Sequence, residues 1–427
     1  MKKNLMHSGI LLSNSINKTA FINAILSGKS EGVLAVFNDS KGILFSDLTI
    51  IEFIEKEHKH HSIAILNSEN RQLRTFPSGE RRKVLLEYCL AQQPDFIIFD
   101  NPFDHLDLQS RIDLSNQLAE LSTSVAIIQI TSREESLLPF INIKGYVNDN
   151  SFDIIDIPEP IETHEVIGTF NFPSALLSFD KTYESILKFD NVSINYDGHP
   201  IIKDINWDVK QGEFWQLIGP NGSGKSTMLS LITGENPKAY GQNITIFDRK
   251  KGSGESIWDI KRKIGHFSSS IAELFQRNHT VEQMVMSGFF DSVGLYVKPT
   301  GLQYQKALQW LELINIRHLK DVYFNRLTLG QQRLILIVRA LIKQPPLLIL
   351  DEPFEGLDQE NTNLVAQLLN SLIEKTEITV VYVSHTIEKS LAPSHIYELT
   401  PTKNGSIGQI KVDFESKIAA NVLNGEK

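Results

Sequence analysis

The chain has 427 residues, 41% hydrophobic and 22% charged, with a net charge of −9 and one cysteine. That length exceeds one ordinary hydrophobic core, so two or three domains are expected. The acidic balance argues against broad nucleic-acid binding, the lone Cys89 excludes an intrachain disulfide, and no apolar run is long enough to span a bilayer.

The start, MKKNLMHSGILLSNS, carries two lysines, but its apolar run is broken and too short for a signal peptide. A cytoplasmic protein is expected, and any membrane part of its work would belong to another chain. Residues 11–28, LLSNSINKTAFINAILSG, have the rhythm of a phosphate-binding loop leading into a helix. Lys18 and Thr19 stand where such a loop needs them, but its glycines are missing. Alone, the pair leaves a decayed site, a binding site without catalysis and coincidence all open. The cluster EKEHKHH at 55–61 contains metal-ligand types, yet no second cluster accompanies it, and it reads as a solvated helix end. Cys89 lies in an apolar run and reads as a small core residue. Around 150–187 the chain is acidic and punctuated by proline with no long helical period, which predicts an extended, partly packed linker.

The second half is more explicit. FWQLIGPNGSGKSTMLSLITG, 214–234, reads as an apolar strand, a glycine-rich turn and an amphipathic helix. Gly219, Pro220, Asn221, Gly222, Ser223, Gly224, Lys225 and Ser226 fill the pattern G-x-x-x-x-G-K-[ST], with Thr227 following. Glycines let backbone N–H groups turn inward onto phosphate oxygens, and the helix N-terminus adds partial positive charge. Lys225 can reach the β- and γ-phosphates, and the Ser226 hydroxyl can ligate Mg²⁺. PPLLILDEP, 345–353, is a strand apolar on both faces, as a parallel sheet covered by helices requires. It ends in Asp351, suited to the Mg²⁺ shell, and Glu352, placed to polarise an attacking water. ITVVYVSH ends in His385, a candidate γ-phosphate sensor.

On these motifs residues 188–412 resemble the ATP-binding cassette ATPases, with LTLGQQR at 327–333, LILDEP at 348–353, EGLD at 355–358 and VSH at 383–385. The resemblance implies that Tyr196 stacks on adenine. It implies that Thr328, Gly330 and Gln331 form a signature turn completing a nucleotide site on an opposing cassette, and that Asp358 lies in a loop communicating between sites. Two positions depart from the pattern: Ser269 replaces the usual glutamine after the IGHFS strand, and Leu329 replaces the first signature glycine.

The first half repeats the second. FPSGERRKVLLEYCLAQQPDFIIFDNPFDHLD, 76–107, aligns without gaps to LTLGQQRLILIVRALIKQPPLLILDEPFEGLD, 327–358. Gly79 and Asp100 stand 21 positions apart, as do Gly330 and Asp351. In this register Leu12 faces Gly219, Ser15 Gly222, Asn17 Gly224, Lys18 Lys225 and Thr19 Ser226, so 11–28 is a phosphate loop by descent. Asn17 is expected to keep the left-handed turn, since asparagine tolerates it. Leu12 brings a side chain to a place built for bare backbone. Asn101 stands at the glutamate position and Ser132 at the histidine position, so hydrolysis there is expected to be negligible. Lys18 and Gly79 are 61 positions apart, against 105 for Lys225 and Gly330, so the first helical subdomain is reduced. No strand bearing an adenine-stacking aromatic has a counterpart.

The expected organisation is α/β: two tandem P-loop NTPase domains, each a mainly parallel sheet flanked by helices with a helical subdomain. The degenerate cassette is placed at 1–150, the linker at 151–187, the complete cassette at 188–412 and a tail at 413–427. The resemblance implies that such cassettes pair head to tail, here as a pseudo-dimer within one chain. The second-half loop would then face Ser78, Gly79 and Glu80, with Pro77 lacking the usual hydroxyl. Slow, asymmetric ATP hydrolysis follows, with weak or no binding at Lys18 and Thr19. The GERRK and FDNPFDHLD stretches, with SGFFDSVGLY at 287–296, resemble bacterial tandem cassettes of the ModF type, associated with molybdate-transport loci. Three roles stay open: an energy-coupling ATPase for a separate permease, at the inner face of the cell membrane; a soluble regulator or repair-linked switch; and a translation factor. The last ranks lowest, because residues 151–190 carry two basic side chains against eight acidic ones.

Overall fold

The computed structural model describes residues 5–13, 16–60, 65, 71–76, 78–104, 106–148, 151–153, 170–176, 182–268, 271, 279–384, 390–391 and 393–411. The chain divides into two compact units, 1–164 with 356–359, and 165–355 with 360–427.

In the first unit, short strands apolar on both faces assemble a mainly parallel sheet. They are β1 (Ser8–Leu11), β2 (Gly42–Phe45), β3 (Phe96–Asp100), β4 (Ala126–Thr131), β5 (Ile143–Asn148) and β6 (Ser151–Asp153), ordered β2-β3-β4-β1-β5-β6. Only β6 runs antiparallel to its neighbour. Residues 151–153, read from sequence as linker, thus belong to a sheet. Successive strand residues face opposite sides. Phe96, Ile98, Ile128 and Ile130 pack with Phe21, Ile22 and Ile25 of α1 (Lys18–Leu26). Ile97, Phe99 and Ile127 face Leu85 and Cys89 of α3 (Ser78–Ala91) and Leu118 of α4 (Leu108–Leu121). Between β2 and α3 lies α2 (Asp47–His60). It corrects the reading of 55–61 as wholly solvated: Glu57 is buried, and its Oε1 accepts the Leu73 N–H at 3.0 Å. That bond ties the turn before α3 to α2. Cys89 is buried too, which pushes its thiol up to about 12.

The second unit repeats the sheet and adds to it. An antiparallel sheet, β11-β10-β7-β8, is built from β7 (Leu187–Tyr196), β8 (His199–Val209), β10 (Ile244–Ile246) and β11 (Arg249–Lys250). Asp197 and Gly198 turn β7 into β8, both with positive φ, as a two-residue hairpin demands. The main sheet comprises β9 (Phe214–Ile218), β12 (Ile264–Ser268), β13 (Leu347–Asp351), β14 (Thr379–Ser384), β15 (His395–Thr400) and β16 (Ile407–Lys411). Its order, β12-β13-β14-β9-β15-β16, is that of the first unit strand for strand, and again only the last strand is antiparallel. Trp215, Leu217, Ile349 and Val381 pack against Met228, Leu231 and Ile232 of α5 (Lys225–Thr233), and the same core takes in Trp207 of the antiparallel sheet. A short α6 (Ile257–Lys261) precedes β12.

Between β12 and β13 come α7 (Val281–Ser287), α8 (Gly301–Leu313) and α9 (Leu329–Leu341), and α10 (Gln359–Lys375) joins β13 to β14. Helices α7, α8 and α9 each open with a reciprocal capping box, Thr280–Gln283, Thr300–Gln303 and Thr328–Gln331. The repeat is exact where it matters: α9, β13 and α10 begin 251 positions after α3, β3 and α4 respectively.

Candidate nucleotide site

The second-unit loop joins β9 to α5 at the C-terminal edge of the parallel strands, where open α/β sheets bind ligands. Gly222 and Gly224 are left-handed, with φ of 77° and 96°. Any Cβ on Gly224 would stand 2.6 Å from Ile202 Cγ2, so conformation and space both demand glycine there. A Cβ on Gly219 would meet Ser223 Oγ at 2.6 Å and the Leu399 carbonyl at 2.8 Å. Asn221 is exposed at the tip, Ser223 is buried beneath the turn, and Ser226 is exposed on the first turn of α5, with Thr227 half-buried beside it. The Lys225 ammonium folds back into the loop, donating to the carbonyls of Gly219 at 2.6 Å and Pro220 at 3.0 Å.

Asp351 ends β13, paired in register with Ser268 of β12. Burial, then the adjacent Glu352, push its carboxyl up to about 6, with Lys225 acting in the opposite direction. Glu352 is left-handed at φ 52°, and its N–H donates to the Val383 carbonyl at 2.9 Å. This is strain that a non-glycine residue holds only where its surroundings enforce it. Arg333 helps: it is buried, and its Nη1 donates to the Glu352 carbonyl at 3.2 Å. Arg333 was missed from sequence, though the repeat carried a signal. Its counterpart Arg82 donates to the Pro102 carbonyl at 2.9 Å and pairs with Asp47.

Tyr196, at the end of β7, is 38% exposed. Its hydroxyl accepts from Asn236 Nδ2 at 2.7 Å, and Lys238 Nζ lies 5.1 Å from its ring centroid. Asn236 also donates to Ser230 of α5 at 3.1 Å, so it links the tyrosine to the loop helix, a role not read from sequence. Thr328 and Gln331 cap α9: Thr328 Oγ1 accepts the Gln331 N–H at 3.3 Å, and Gln331 Oε1 accepts the Thr328 N–H at 3.1 Å. Gly330 lies buried in that first turn, and Asp358 is buried just before α10. His385, Ser269 and Pro77 lie outside the described residues.

The first unit carries its own version of these positions. Lys18 Nζ lies 2.9 Å from Asp100 Oδ1, with the aspartate side chain 6% exposed and the lysine 34%. Thr19 is exposed, while Leu12 is buried in the apolar core. Asn17 does not take the expected left-handed turn. At φ −73° it N-caps α1, its side chain accepting the Ala20 N–H at 3.1 Å, because an asparagine at a helix start gains a hydrogen bond that glycine cannot make. Ser15 lies outside the described residues. Asn101 reproduces the backbone of Glu352, with φ 44° and its N–H on the Ile130 carbonyl at 2.9 Å. Gln93 and Gln344 likewise share positive φ, at 49° and 47°. Ser78, Gly79 and the exposed Glu80 form the first turn of α3.

Comparison with known proteins gives the same reading. A family model described as ABC transporter matches residues 202–355. Over 348 residues, 78% of this chain and 71% of the relative, the sequence is 36% identical to the ABC transporter ATP-binding protein ModF of Escherichia coli strain K12. It is 36% identical over 201 residues, 46% of this chain and 75% of the relative, to the zinc uptake system ATP-binding protein ZurA of Listeria innocua. A solved structure of RNase-L Inhibitor superposes with a TM-score of 0.62, covering 98% of this chain and 88% of that one, at 16% identity, a likeness of fold. Among the described residues no helix is long and apolar enough to cross a membrane. With a complete phosphate loop in one unit, a worn copy in the other and this relationship to ModF, the chain belongs to the ATP-binding proteins of the ABC transporter family.

Proposed function

We propose that the chain binds ATP with Mg²⁺ and hydrolyses it, slowly and asymmetrically, mainly at the second unit. One observation carries this reading: β13 ends in Asp351 and Glu352 in the unit whose glycine turn holds Lys225, whereas Asn101 stands with the same backbone at the glutamate position of the first unit. In the second unit the Lys225 ammonium, held on loop carbonyls, turns to phosphate oxygens, and the loop N–H groups and the start of α5 receive the anion. Glu352 orients or deprotonates the attacking water, and His385, following β14, is assigned to the γ-phosphate. Tyr196 offers its half-exposed ring to the adenine.

Ser226 and Asp351 are the residues that would hold Mg²⁺. Both offer oxygen, the donor a hard cation prefers, and burial, then the adjacent Glu352, raises the carboxyl of Asp351, a cost that a cation would relieve. When bound, the ion neutralises charge on the phosphates. Pairing of the cassettes as a pseudo-dimer belongs to the same proposal.

In the cell we place the chain in the cytoplasm as the ATP-binding component of a transport system with a separate membrane permease. The transporter names of ModF and ZurA support this role. A soluble regulator is the second reading, favoured by the Lys18–Asp100 pair, since a scaffold need not turn over. ATPase assays of the full chain and Glu352→Gln test the chemistry, and an unchanged rate would overturn the assignment. Affinity purification from the native host separates the roles: a permease subunit supports transport, and a soluble protein or ribosomes overturns it.

A further inference from the structure

Residues 170–176, FNFPSAL, cross the second unit without regular secondary structure, yet are held at several points. Phe170 is 3% exposed, and its ring stacks on Phe172 at 6.3 Å. Phe172 lies 5.8 Å from Trp310, itself buried in α8. Ser174 Oγ accepts from Lys306 of α8 at 2.7 Å. The Pro173 carbonyl accepts from Gln344 Nε2, just beyond α9, and the Phe170 carbonyl accepts from Lys375 at the end of α10 at 2.9 Å.

A connecting segment ordinarily gives its carbonyls to water. Here two are taken by long side chains from different elements, and two aromatic rings anchor the backbone at small entropic cost. The three attachment points are specific. Helix α8 packs against α7 and α9, and α9 begins at the Thr328 turn. Gln344 opens the run into β13, which ends at Asp351 and Glu352, and Lys375 closes α10 before β14.

We infer that 170–176 is a strut that fixes α8 and α9 on the sheet-bearing core, so that the Thr328 turn and the end of β13 keep one mutual geometry. Its residues are positioning residues, since their partners are Trp310, Lys306, Gln344 and Lys375. The inference rests on the reading that the second unit hydrolyses ATP.

The test compares full-length Phe172→Ala, Lys306→Gln and the conservative Phe172→Leu by hydrogen exchange and by ATP kinetics. For Phe172→Ala, exchange across 301–313 and 329–345 should rise roughly threefold to tenfold while 225–233 is unchanged. The kcat should fall about threefold to tenfold with KM within about twofold, because misplacing a turn costs rate without removing phosphate contacts. Lys306→Gln should move both readouts the same way by less, and Phe172→Leu should restore most of the loss. Unchanged exchange and kcat would overturn the strut, as would a rise in KM with kcat intact. If Phe172→Ala does not fold, Lys306→Gln decides by the same criteria. If the wild-type chain shows no ATPase activity, the functional reading fails, while the exchange pattern still judges the strut.

Discussion

The two units share one sheet order and one backbone path through their central motif, yet differ in what surrounds the phosphate loop. Asn101 and Glu352 adopt the same left-handed conformation and the same hydrogen bond to the neighbouring strand. Arg82 and Arg333 each hold a carbonyl just beyond the central strand. The backbone frame is common to both copies, while the side chains it carries differ. In the second unit an aspartate whose carboxyl is raised by burial sits beside a second carboxylate, a costly arrangement in the ligand-free protein. In the first, Lys18 is paired to Asp100 and asparagine stands at the glutamate position.

The sharpest way to break this contrast is to remove the glutamate. Glu352→Gln is expected to lower kcat by about 10²–10⁴ without loss of ATP binding, as removal of a general base does. Asn101→Ala should leave the rate within about twofold, since a residue outside the chemistry costs little. Phosphate release under saturating ATP measures both, and comparable losses from the two variants would mean that both units turn over.

The lysines should fail in different currencies. Lys225→Ala is expected to weaken ATP binding by about 10–100-fold, on the order of one or two charge-assisted hydrogen bonds. Lys18→Ala should leave nucleotide stoichiometry unchanged and lower stability instead. It strands the buried Asp100, at about 1–2 kcal/mol once the lysine's exposure is discounted. Equilibrium dialysis and denaturant titration separate the outcomes. Two nucleotides bound by the wild type, falling to one in Lys18→Ala, would show that the first site is used.

Asp351 yields a pH-dependent prediction. Its folded pKa of about 6 lies above the ordinary carboxylate value, so the folded state binds its proton more tightly than the unfolded chain. Its contribution therefore weakens as pH rises from about 4 through 6, and near neutrality the ionised group is a net cost. Asp351→Asn is expected to stabilise the nucleotide-free protein at pH 7.5 by on the order of 1–3 kcal/mol while abolishing hydrolysis. Below pH 4 the two proteins should melt alike. Greater stability of wild type at pH 7.5 would mean that Lys225 already neutralises the carboxylate.

Much of this was legible beforehand because periodic patterns and fixed spacings are local. The loop at 219–227, the strand ending in Asp351 and the 21-position register of the two halves are each written in consecutive residues, and the matched sheet orders follow from them. What escaped was set by tertiary partners. Nothing near Asn17 announces that it caps a helix rather than turning left-handed, because both uses suit asparagine. Glu57 looked solvated in a charged run and is buried, since its acceptor is claimed by a backbone N–H from a distant turn. The linker segment at 170–176 has no periodicity to betray its anchors on α8 and α10. The pairing of Lys18 with Asp100 joins residues far apart in the chain.

The smallest effect isolates what the first unit gained by its loss. A glutamate at φ 52° is strained, and asparagine tolerates that region better than longer side chains do. Glu352→Asn alone confounds backbone relief with removal of a negative charge beside Asp351. Glu352→Gln removes the charge and keeps the side-chain length, so the stability difference between the Asn and Gln variants reports the backbone. That difference should favour Asn by about 0.5 kcal/mol, a fraction of the cost of a strained non-glycine residue. At position 101 the comparison runs backwards: Asn101→Gln, also charge-neutral, should cost a similar amount. Denaturant midpoints of the three variants and wild type close the cycle. Equal and opposite shifts would mean that the change to asparagine relaxed a strain that catalysis alone had justified, whereas no shift at either position would place the cost of Glu352 entirely in its charge.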